Sequence, residues 1–359
     1  MRAIIEENHG GPEVLRVSEI PAPVPRSREV LIRVRAAGIN RADALQRRGF
    51  YPPPPGSSSI YGLEVAGEIE AVGEGASVEN CGRPVMALLP GGGYADYVTV
   101  PVDLLLPKPE NLSFEEAAAL PEVAATVYSN LVLTCGMSMD PAENLREDGQ
   151  SATVLVHGGT GGIGVHAIQV ALAAGTRVFA TVGTEEKAEY VRSLGAEPIV
   201  YREHSFRDVV LSETGGRGAD YILDVVGGRY FEDNLHTLAD GGHLCIIGLQ
   251  GGRKAELDLA YALTHRLSVH ASAAAPRPRK PRFCAACASR SSRWLSRVAS
   301  AWVLTGYSPW RPRPRRTSTL IPVCTAARWC YGSIRGGRGA RREPYRRAPR
   351  NVSPKEDLG

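Results

Sequence analysis

The first 125 residues carry short apolar or alternating runs that are typical of β-strands. Clusters of glycine and proline, which favour turns, separate these runs. The runs lie at residues 30–34, 68–72, 84–89 and 94–100. Many short strands with frequent turns predict a barrel-like β domain over residues 1–125.

The hydrophobic rhythm changes after residue 125. A buried-strand run at 153–156 precedes a glycine-rich turn and a helix with apolar positions at Val165, Ile168 and Leu172. Strands alternating with helices predict a doubly wound parallel sheet over residues 126–271, so the fold class is α/β. Further strands are predicted at 177–182, 198–200, 221–225 and 243–249, and a further helix at 185–194.

The last quarter of the chain has a different composition. Residues 1–270 hold 22 Lys and Arg against 35 Asp and Glu, a net charge of −13, whereas residues 271–359 hold 20 against 3, a net charge of +17. The tail has no clear hydrophobic period, and prolines such as Pro276 and Pro312 would interrupt a helix or a central strand. We therefore predict no fold for residues 272–359 and expect this basic Arg- and Pro-rich tail to be disordered.

Targeting signals and cysteine usage set the expected compartment. The N-terminal residues lack the pattern of a signal peptide, and no apolar run reaches the roughly 20 residues of a membrane span. The first 270 residues hold Cys81, Cys135 and Cys245, widely spaced, which favours a reduced compartment over a disulfide scaffold. The expectation is a cytoplasmic protein without membrane association.

A phosphate-binding turn is the strongest local motif. Residues Gly159, Gly161 and Gly164 fit G-x-G-x-x-G between a predicted strand and a predicted helix, and Gly162 and Ile163 complete the turn. Glycines let the backbone approach a pyrophosphate, and free N–H groups at the helix start face the anion. The alternative is a glycine-rich turn that binds no ligand.

The end of the second strand decides between NADH and NADPH. A carboxylate there would hold the ribose hydroxyls of NADH, but the strand ends in Gly183 and Thr184, with Lys187 shortly after. A small residue beside a lysine favours a 2′-phosphate, hence NADPH. Lys187 on a solvated helix face is the alternative.

Several longer motifs, in order along residues 1–272, resemble the zeta-crystallin-like quinone oxidoreductases. These enzymes belong to the medium-chain dehydrogenase/reductase superfamily, and the chain is most similar to their tumour-suppressor-inducible subgroup. The motifs are GINRAD at 38–43, QRRGFYPPPPG at 46–56, GLEVAG at 62–67, MALLPGGGYA at 86–95, VHGG at 156–159, DVVGG at 224–228 and IGLQGG at 247–252.

The resemblance implies a GroES-like catalytic domain and a Rossmann domain with NADPH and a small quinone in the cleft between them. It also implies a homodimer. It places Asn40 and Tyr51 at the quinone and nicotinamide. Its coenzyme contacts are Gly161, Gly162 and Ile163 at the pyrophosphate, Gly183, Lys187 and Tyr201 at the 2′-phosphate, and Gly248 and Leu249 along the nicotinamide.

The candidate chemistry is hydride transfer, which requires alignment and exclusion of water more than a strong acid. Tyr51 could donate a hydrogen bond to a developing oxyanion, or its ring could pack on the polyproline turn. Related zinc enzymes carry a cysteine in the segment where this chain has Asn40-Arg41-Ala42-Asp43, and a histidine where it has Leu63. Because a catalytic zinc needs three protein ligands, we expect no metal there.

Three interpretations of the tail compete: a nucleic-acid-binding extension, a zinc module and an out-of-frame translation. Cys284, Cys287, Cys324 and Cys330 have spacings unlike a zinc ribbon or finger. Residues 327–331, read two bases out of phase, permit Lys-Val-Val-Leu, which resembles the family's C-terminus. We therefore favour an out-of-frame tail that impairs the enzyme.

Two functions follow from these interpretations. The first is an NADPH-dependent, zinc-independent quinone oxidoreductase, with activity on a quinone or related enone. The alternative is a basic interaction protein whose arginines and tryptophans bind nucleic acid. In the first case the tail would contact nucleic acid only nonspecifically.

Overall fold

The computed structural model describes residues 1–272. The predicted disorder of the tail, its out-of-frame origin, its zinc module and its nucleic-acid binding lie outside these residues. The described chain folds around an antiparallel sheet in its first half and a parallel sheet in its second.

The first half is built on a five-stranded antiparallel sheet in the order β6-β3-β4-β5-β7, and β1 and β2 form a separate antiparallel pair. Alternating side chains of β3, such as Val30, Ile32 and Val34, are buried on one face. This alternation is the pattern that predicted the β domain. The strands are β1 Arg2–Ile5, β2 Arg16–Glu19, β3 Glu29–Ala37, β4 Glu64–Val72, β5 Pro84–Leu88, β6 Tyr97–Pro101 and β7 Leu105–Pro107.

The second half is a six-stranded parallel sheet in the order β10-β9-β8-β11-β12-β13. The order reverses direction between β8 and β11, and this reversal is the switch point at which doubly wound sheets bind ligands. The predicted α/β fold class is therefore confirmed. The strands are β8 Thr153–His157, β9 Arg177–Val182, β10 Glu197–Val200, β11 Ala219–Asp224, β12 Leu238–Ile246 and β13 Ser268–Ala271.

Helices cover both faces of the parallel sheet. Val154 and Val156 of β8 pack in a cluster with residues of α3, α4 and α5. Leu155, between them, packs in a second cluster with residues of α6 and α7. The helices are α1 Arg41–Arg47, α2 Phe114–Ala118, α3 Pro121–Val127, α4 Gly162–Ala173, α5 Glu185–Ser193, α6 Phe206–Glu213, α7 Phe231–Thr237 and α8 Leu259–Thr264, with a π-helical turn at Tyr128–Val132.

The predicted elements differ from the structure mainly at their ends. Strand β9 has the predicted bounds, but β12 begins five residues early and ends at Ile246. Beyond that strand the chain turns onto the loop after β11, where Gln250 and Gly251 donate their N–H groups to the carbonyl oxygens of Val225 and Val226. Strand β6 begins at Tyr97 because Tyr94 instead hydrogen-bonds through its backbone to Tyr61 and Ile4. The predicted domain boundary between residues 125 and 126 falls within α3 and stays a prediction.

The described helices are all too short or too polar to cross a lipid bilayer.

Candidate functional site

The turn after β8 opens the start of α4 to a ligand. Helix α4 begins at Gly162, and its first N–H groups have no acceptor within the helix. The cap residue Gly161 has no side chain that could accept them. The turn therefore presents several backbone donors on the side where the helix dipole is positive, which suits an anion such as a pyrophosphate.

The glycines of this turn have two different roles. A Cβ at Gly164 would overlap the carbonyl oxygen of Gly158, and a Cβ at Gly159 would lie 2.8 Å from that of Ala180. In contrast, a Cβ at Gly161 would meet nothing nearer than 3.5 Å, and one at Gly162 nothing nearer than 3.6 Å. Gly159 and Gly164 therefore permit close packing, whereas a methyl at Gly161 or Gly162 would make only ordinary van der Waals contacts with the protein.

Buried polar side chains support the turn from below. His157, at the end of β8, contacts Thr181 through Nδ1 at 3.1 Å and Asn234 through Nε2 at 2.7 Å. The Thr181 hydroxyl accepts the N–H of Gly158 at 3.2 Å. Asn234 donates to the Asp224 carboxylate, which also accepts the N–H groups of the turn after β11. Burial lowers the pKa of His157 and raises that of Asp224.

The end of β9 carries the residues expected at a 2′-phosphate. A Cβ at Gly183 would lie 3.1 Å from the hydroxyl of Tyr201, so the two residues are adjacent. Thr184 caps α5, and Lys187 is exposed in its first turn. The nearby carboxylate of Glu185 is engaged by Arg192 at 2.6 Å. The structure thus gathers Gly183, Thr184, Lys187 and Tyr201 at one corner of the sheet.

The segment after β12 forms the other side of this edge. A Cβ at Gly248 would lie 2.6 Å from the carbonyl oxygen of Val225, so only glycine fits between the two loops. Leu249 follows as an exposed apolar side chain, with 54% of its surface accessible. Gly248 and Leu249 are therefore placed at the carboxyl end of the parallel strands, where the resemblance expects the nicotinamide.

A buried acidic pocket lies between the β sheet and α3. Asn40 precedes α1 and donates its Nδ2 to Oε1 of Glu64 at 2.9 Å. Its backbone N–H donates to Asp43 at 2.7 Å, and the Tyr94 hydroxyl donates to the same carboxylate at 2.8 Å. Asn40, Asp43, Glu64 and Tyr94 therefore form one hydrogen-bonded group, which we call the acidic pocket.

Glu64 is the centre of the acidic pocket. Only 2% of its surface is exposed, and its Oε2 accepts the N–H of Glu122 at 2.8 Å. Burial, followed by the negative charge of Glu122, raises the pKa of Glu64 to about 8. A Cβ at Gly38 would overlap Oε1 of Glu64, so the glycine of the GINRAD motif makes room for this carboxyl.

Tyr51 belongs to the same region. It is half-buried in the loop after α1, and its pKa is raised by burial and then by the charges of Glu122 and Asp43. Those carboxylates therefore lie near the phenol, which stays protonated and can donate a hydrogen bond. The structure thus brings Asn40 and Tyr51 toward one carboxylate in common, that of Asp43.

Helix α3 connects the acidic pocket to the turn after β8 at residues 158–164, which we call the coenzyme turn. Near its start, the N–H of Glu122 binds Glu64. The next residue, Val123, would lie 3.6 Å from a Cβ at Gly162, in the first turn of α4. The two halves of the site are thus joined through two consecutive residues.

The sequence reasoning missed the residues that hold the site together. Glu64 stood in a quoted motif, but its burial depends on contacts that its neighbours in the chain do not reveal. His157 and Asp224 also stood in motifs of the resemblance, but no sequence pattern marked their structural role, and Asn234 gave no signal. Among residues 1–272, one group of His, Cys, Asp and Glu side chains is arranged to hold a metal, namely Cys135, His243 and His270. The expectation of no metal concerned the positions at which related zinc enzymes carry their catalytic ligands, and this group lies elsewhere.

Two family models match the chain. The alcohol dehydrogenase GroES-like domain matches residues 26–110, and the zinc-binding dehydrogenase domain matches residues 162–286. The first contains the antiparallel sheet and the acidic-pocket residues Asn40, Asp43, Glu64 and Tyr94. The second contains most of the parallel sheet and the start of α4.

Relatives and solved structures agree with these matches. Human quinone oxidoreductase is 34% identical over 254 residues, 70% of this chain and 74% of that protein, and the Lama guanicoe enzyme is 35% identical over the same shares. A mycobacterial quinone oxidoreductase structure is 30% identical with a TM-score of 0.71, covering 84% of this chain and 89% of its own. The Escherichia coli quinone oxidoreductase complexed with NADPH is 26% identical with a TM-score of 0.69, covering 90% and 100%. The chain therefore belongs to the zeta-crystallin-like quinone oxidoreductases, a family of medium-chain oxidoreductase enzymes.

Proposed function

We propose that this protein is an NADPH-dependent quinone oxidoreductase that reduces a small quinone or related enone with no metal at the substrate. The observation that supports this most strongly is the connection through α3. Glu122 binds the acidic pocket and Val123 lies against the coenzyme turn. A substrate beside Asn40 and a coenzyme on α4 would therefore share one cleft, as hydride transfer requires.

The start of α4, the corner with Gly183, Lys187 and Tyr201, and the segment at 248–249 form what we call the coenzyme edge. This edge fits a dinucleotide carrying a 2′-phosphate. The open sides of Gly161 and Gly162 leave room for the pyrophosphate against the N–H groups of α4. Lys187 and the hydroxyl of Tyr201 would bind the 2′-phosphate. The nearby carboxylate of Glu185 is paired with Arg192, so its negative charge is not directed at the phosphate. NADPH in the Escherichia coli and mycobacterial relatives supports this choice.

The acidic pocket would hold and polarise the substrate. Bound NADPH supplies the hydride, and the protein supplies alignment and a dry environment. Asn40 is fixed by Glu64, so its position toward the cleft is preorganised. Tyr51, whose pKa is raised, keeps its proton and would donate to the oxygen on which charge develops.

A metal is not required for this chemistry. At the two positions where zinc-dependent relatives carry cysteine and histidine, this chain has the GINRAD segment and Leu63. An amide and an aliphatic side chain are poor zinc ligands. The homodimer implied by the resemblance, and the cytoplasmic location and domain boundaries predicted from the sequence patterns, are proposed together with this function.

The role proposed for Lys187 at the 2′-phosphate is tested by comparing the affinities for NADPH and NADH. Loss of one charged contact costs about 1.5–3 kcal/mol, so Lys187→Ala should weaken NADPH binding by about 10–150-fold. NADH is the internal control, because it lacks the phosphate and its affinity should not change. Fluorescence titration of both coenzymes with the 359-residue chain measures the two effects. Equal affinities of the parent for NADPH and NADH would refute the assignment.

Substrate chemistry is tested at Tyr51. The loss of one oxyanion donor costs about 100–1000-fold in other enzymes, so Tyr51→Phe should lower kcat for 1,4-benzoquinone by about 100-fold. Tyr97→Phe, on the half-buried face of β6, is the matched control and should keep the parent rate. If Tyr51→Phe also keeps that rate, the ring packs on the polyproline turn and plays no catalytic role.

A further inference from the structure

A group of thiol and imidazole side chains lies outside the proposed active site. Cys135, His243 and His270 each offer a ligand atom, and these atoms lie within 4.8 Å of one another. Nδ1 of His243 lies 3.2 Å from Nε2 of His270, and the two rings are nearly parallel at 9°. Cys135 is 3% exposed, whereas both histidines are half-buried.

The sheet register explains why these residues meet. His243 and Cys245 are two residues apart on β12, so they face the same side of the sheet. Cys245 pairs with His270 of β13, which brings His270 to that side as well. The sequence separations of 108 and 27 residues conceal this arrangement, since only the parallel register produces it.

A turn places Cys135 over the two strands. The N–H of Cys135 donates to Asn130 O, and the N–H of Met137 donates to Leu131 O, so the chain folds back after the π-helical turn. The Asn130 side chain accepts hydrogen bonds from Cys245 at 3.2 Å and from Ser272 at 2.7 Å. Through Asn130, these contacts fix the segment that carries Cys135, so that the Cys135 thiol lies beside the two imidazoles.

Neighbouring side chains supply an outer layer of the kind that metal sites use. The Cys245 thiol hydrogen-bonds Cys135, and the ring of Tyr221 stacks on His243 at 5.8 Å. Such partners orient ligands and limit access of water. The three side chains are therefore held in place by their neighbours, as the ligands of a metal site are.

We propose that Cys135, His243 and His270 bind a divalent transition metal, with Zn²⁺ as the best match. One sulfur and two imidazole nitrogens are ligands that zinc prefers. At zinc's bond lengths, the ligand atoms of a tetrahedral site lie about 3.3–3.8 Å apart. Side-chain movements of about 1 Å would therefore bring the three ligand atoms to these distances. The metal would displace the thiol proton to solvent, and a water would complete the coordination.

The role of this metal would be structural. It would tie β13, the outermost strand of the sheet among residues 1–272, to β12 and to the segment around Cys135. None of the three ligands belongs to the acidic pocket or to the coenzyme turn. The site is therefore independent of the hydride transfer and of the proposed function.

Cobalt binding tests the site in the full chain, reduced and freed of metal. The parent should bind one Co²⁺ with a thiolate-to-metal absorption band, and Zn²⁺ should displace it. Cys135→Ser should abolish the band. His270→Gln, on the half-exposed edge strand, should weaken Zn²⁺ binding by more than about 100-fold, because even outer partners contribute about 10–100-fold. Zn²⁺ should raise the Tm of the parent and not of Cys135→Ser.

Two controls separate this site from other cysteines. Cys81→Ser removes an exposed thiol and should leave the band unchanged. The double variant Cys284→Ser/Cys287→Ser removes cysteines outside the described residues and should also keep it. A band that persists in Cys135→Ser, or disappears in the double variant, would overturn the proposal. Far-UV circular dichroism of each variant verifies that loss of the band is not loss of fold.

Discussion

The coenzyme edge and the acidic pocket are built by opposite means. The coenzyme edge is mostly backbone, with N–H groups at the start of α4 and glycines that keep its approach open. The acidic pocket is made of side chains, in which Asn40, Asp43, Glu64 and Tyr94 are linked by hydrogen bonds. A backbone site needs particular small residues, whereas a side-chain site needs partners far along the chain.

The two regions also differ in the protonation state that stabilises them. Glu64 is buried beside other carboxylates, so its neutral, protonated form is favoured. His166 lies in α4 with 1% of its surface exposed, and neither ring nitrogen has a partner among the described residues. Burial lowers its pKa to about 4, so its neutral, deprotonated form is favoured. The pocket and the coenzyme helix should therefore respond to pH in opposite directions.

The largest effect is expected at Glu64. Its pKa is about 8 in the folded protein against 4.5 as a free side chain. Its contribution to stability is therefore complete below pH 4.5 and is lost as pH rises through 8. Over that window the loss is on the order of 5 kcal/mol. Glu64→Gln, which does not titrate, should remove this decline, as measured by denaturant unfolding across pH 4.5–8.

Glu68, on the same strand, is the matched control. Hydrogen bonds from Arg35 are the main cause that lowers its pKa, the opposite direction from that of Glu64. Glu68→Gln should therefore keep the parent's decline with pH. If Glu64→Gln shows the same decline as the parent, the buried carboxyl is not protonated and our description of the pocket is wrong.

A smaller effect of opposite sign is expected at His166. Its pKa falls from 6.5 to about 4 on folding, so the unfolded chain binds more protons between these values. Stability is complete above pH 6.5 and is lost as pH falls through 4, by about 3 kcal/mol. His166→Gln should reduce the acid sensitivity of unfolding between pH 6.5 and 4.

The control for this measurement is His204→Gln, at an exposed position. It should leave the acid sensitivity unchanged. Some sensitivity should remain in His166→Gln, because burial also lowers the pKa of His157. An identical acid profile for His166→Gln and the parent would show that His166 gains a proton without cost.

The contrast between the two regions explains what the sequence could predict. Strand β9 and the start of α4 follow from short local patterns, because consecutive residues share one environment. The parallel sheet was predictable from the alternation of such patterns. The bounds of β12 were not, since the chain after β12 bonds to the loop after β11, where Val225 and Val226 accept the N–H groups of Gln250 and Gly251.

The same distinction holds for the candidate site. Gly161 and Gly164 are recognisable because the motif lies within six residues. Asn40 was predicted as a site residue only from the family resemblance, and its partner Glu64 lies 24 residues away in the sequence. His157 contacts Asn234, 77 residues away, and no local pattern marks that pair. The residues that position the site are therefore the ones that require the folded chain.

The glycines of the coenzyme turn provide the last test, because one motif contains both kinds of constraint. An alanine methyl at Gly164 would overlap the carbonyl oxygen of Gly158, and backbone must move to admit it. Gly164→Ala should therefore cost about 1–3 kcal/mol of stability and also weaken NADPH binding. At Gly161 the methyl would make an ordinary van der Waals contact, 3.5 Å from the carbonyl oxygen of Gly158, and the φ of −77° and ψ of 162° suit alanine.

Gly161→Ala should therefore change the free energy of unfolding by less than about 0.5 kcal/mol. The methyl would occupy the side on which a pyrophosphate approaches, so NADPH affinity should fall by at least about tenfold, or 1.4 kcal/mol. Denaturant unfolding and NADPH fluorescence titration of both variants measure the two quantities separately. Unaltered NADPH binding by Gly161→Ala would mean that the pyrophosphate does not lie on this turn. Equal stability losses in the two variants would mean that the open side of the turn is itself packed, and the distinction between its glycines would fail.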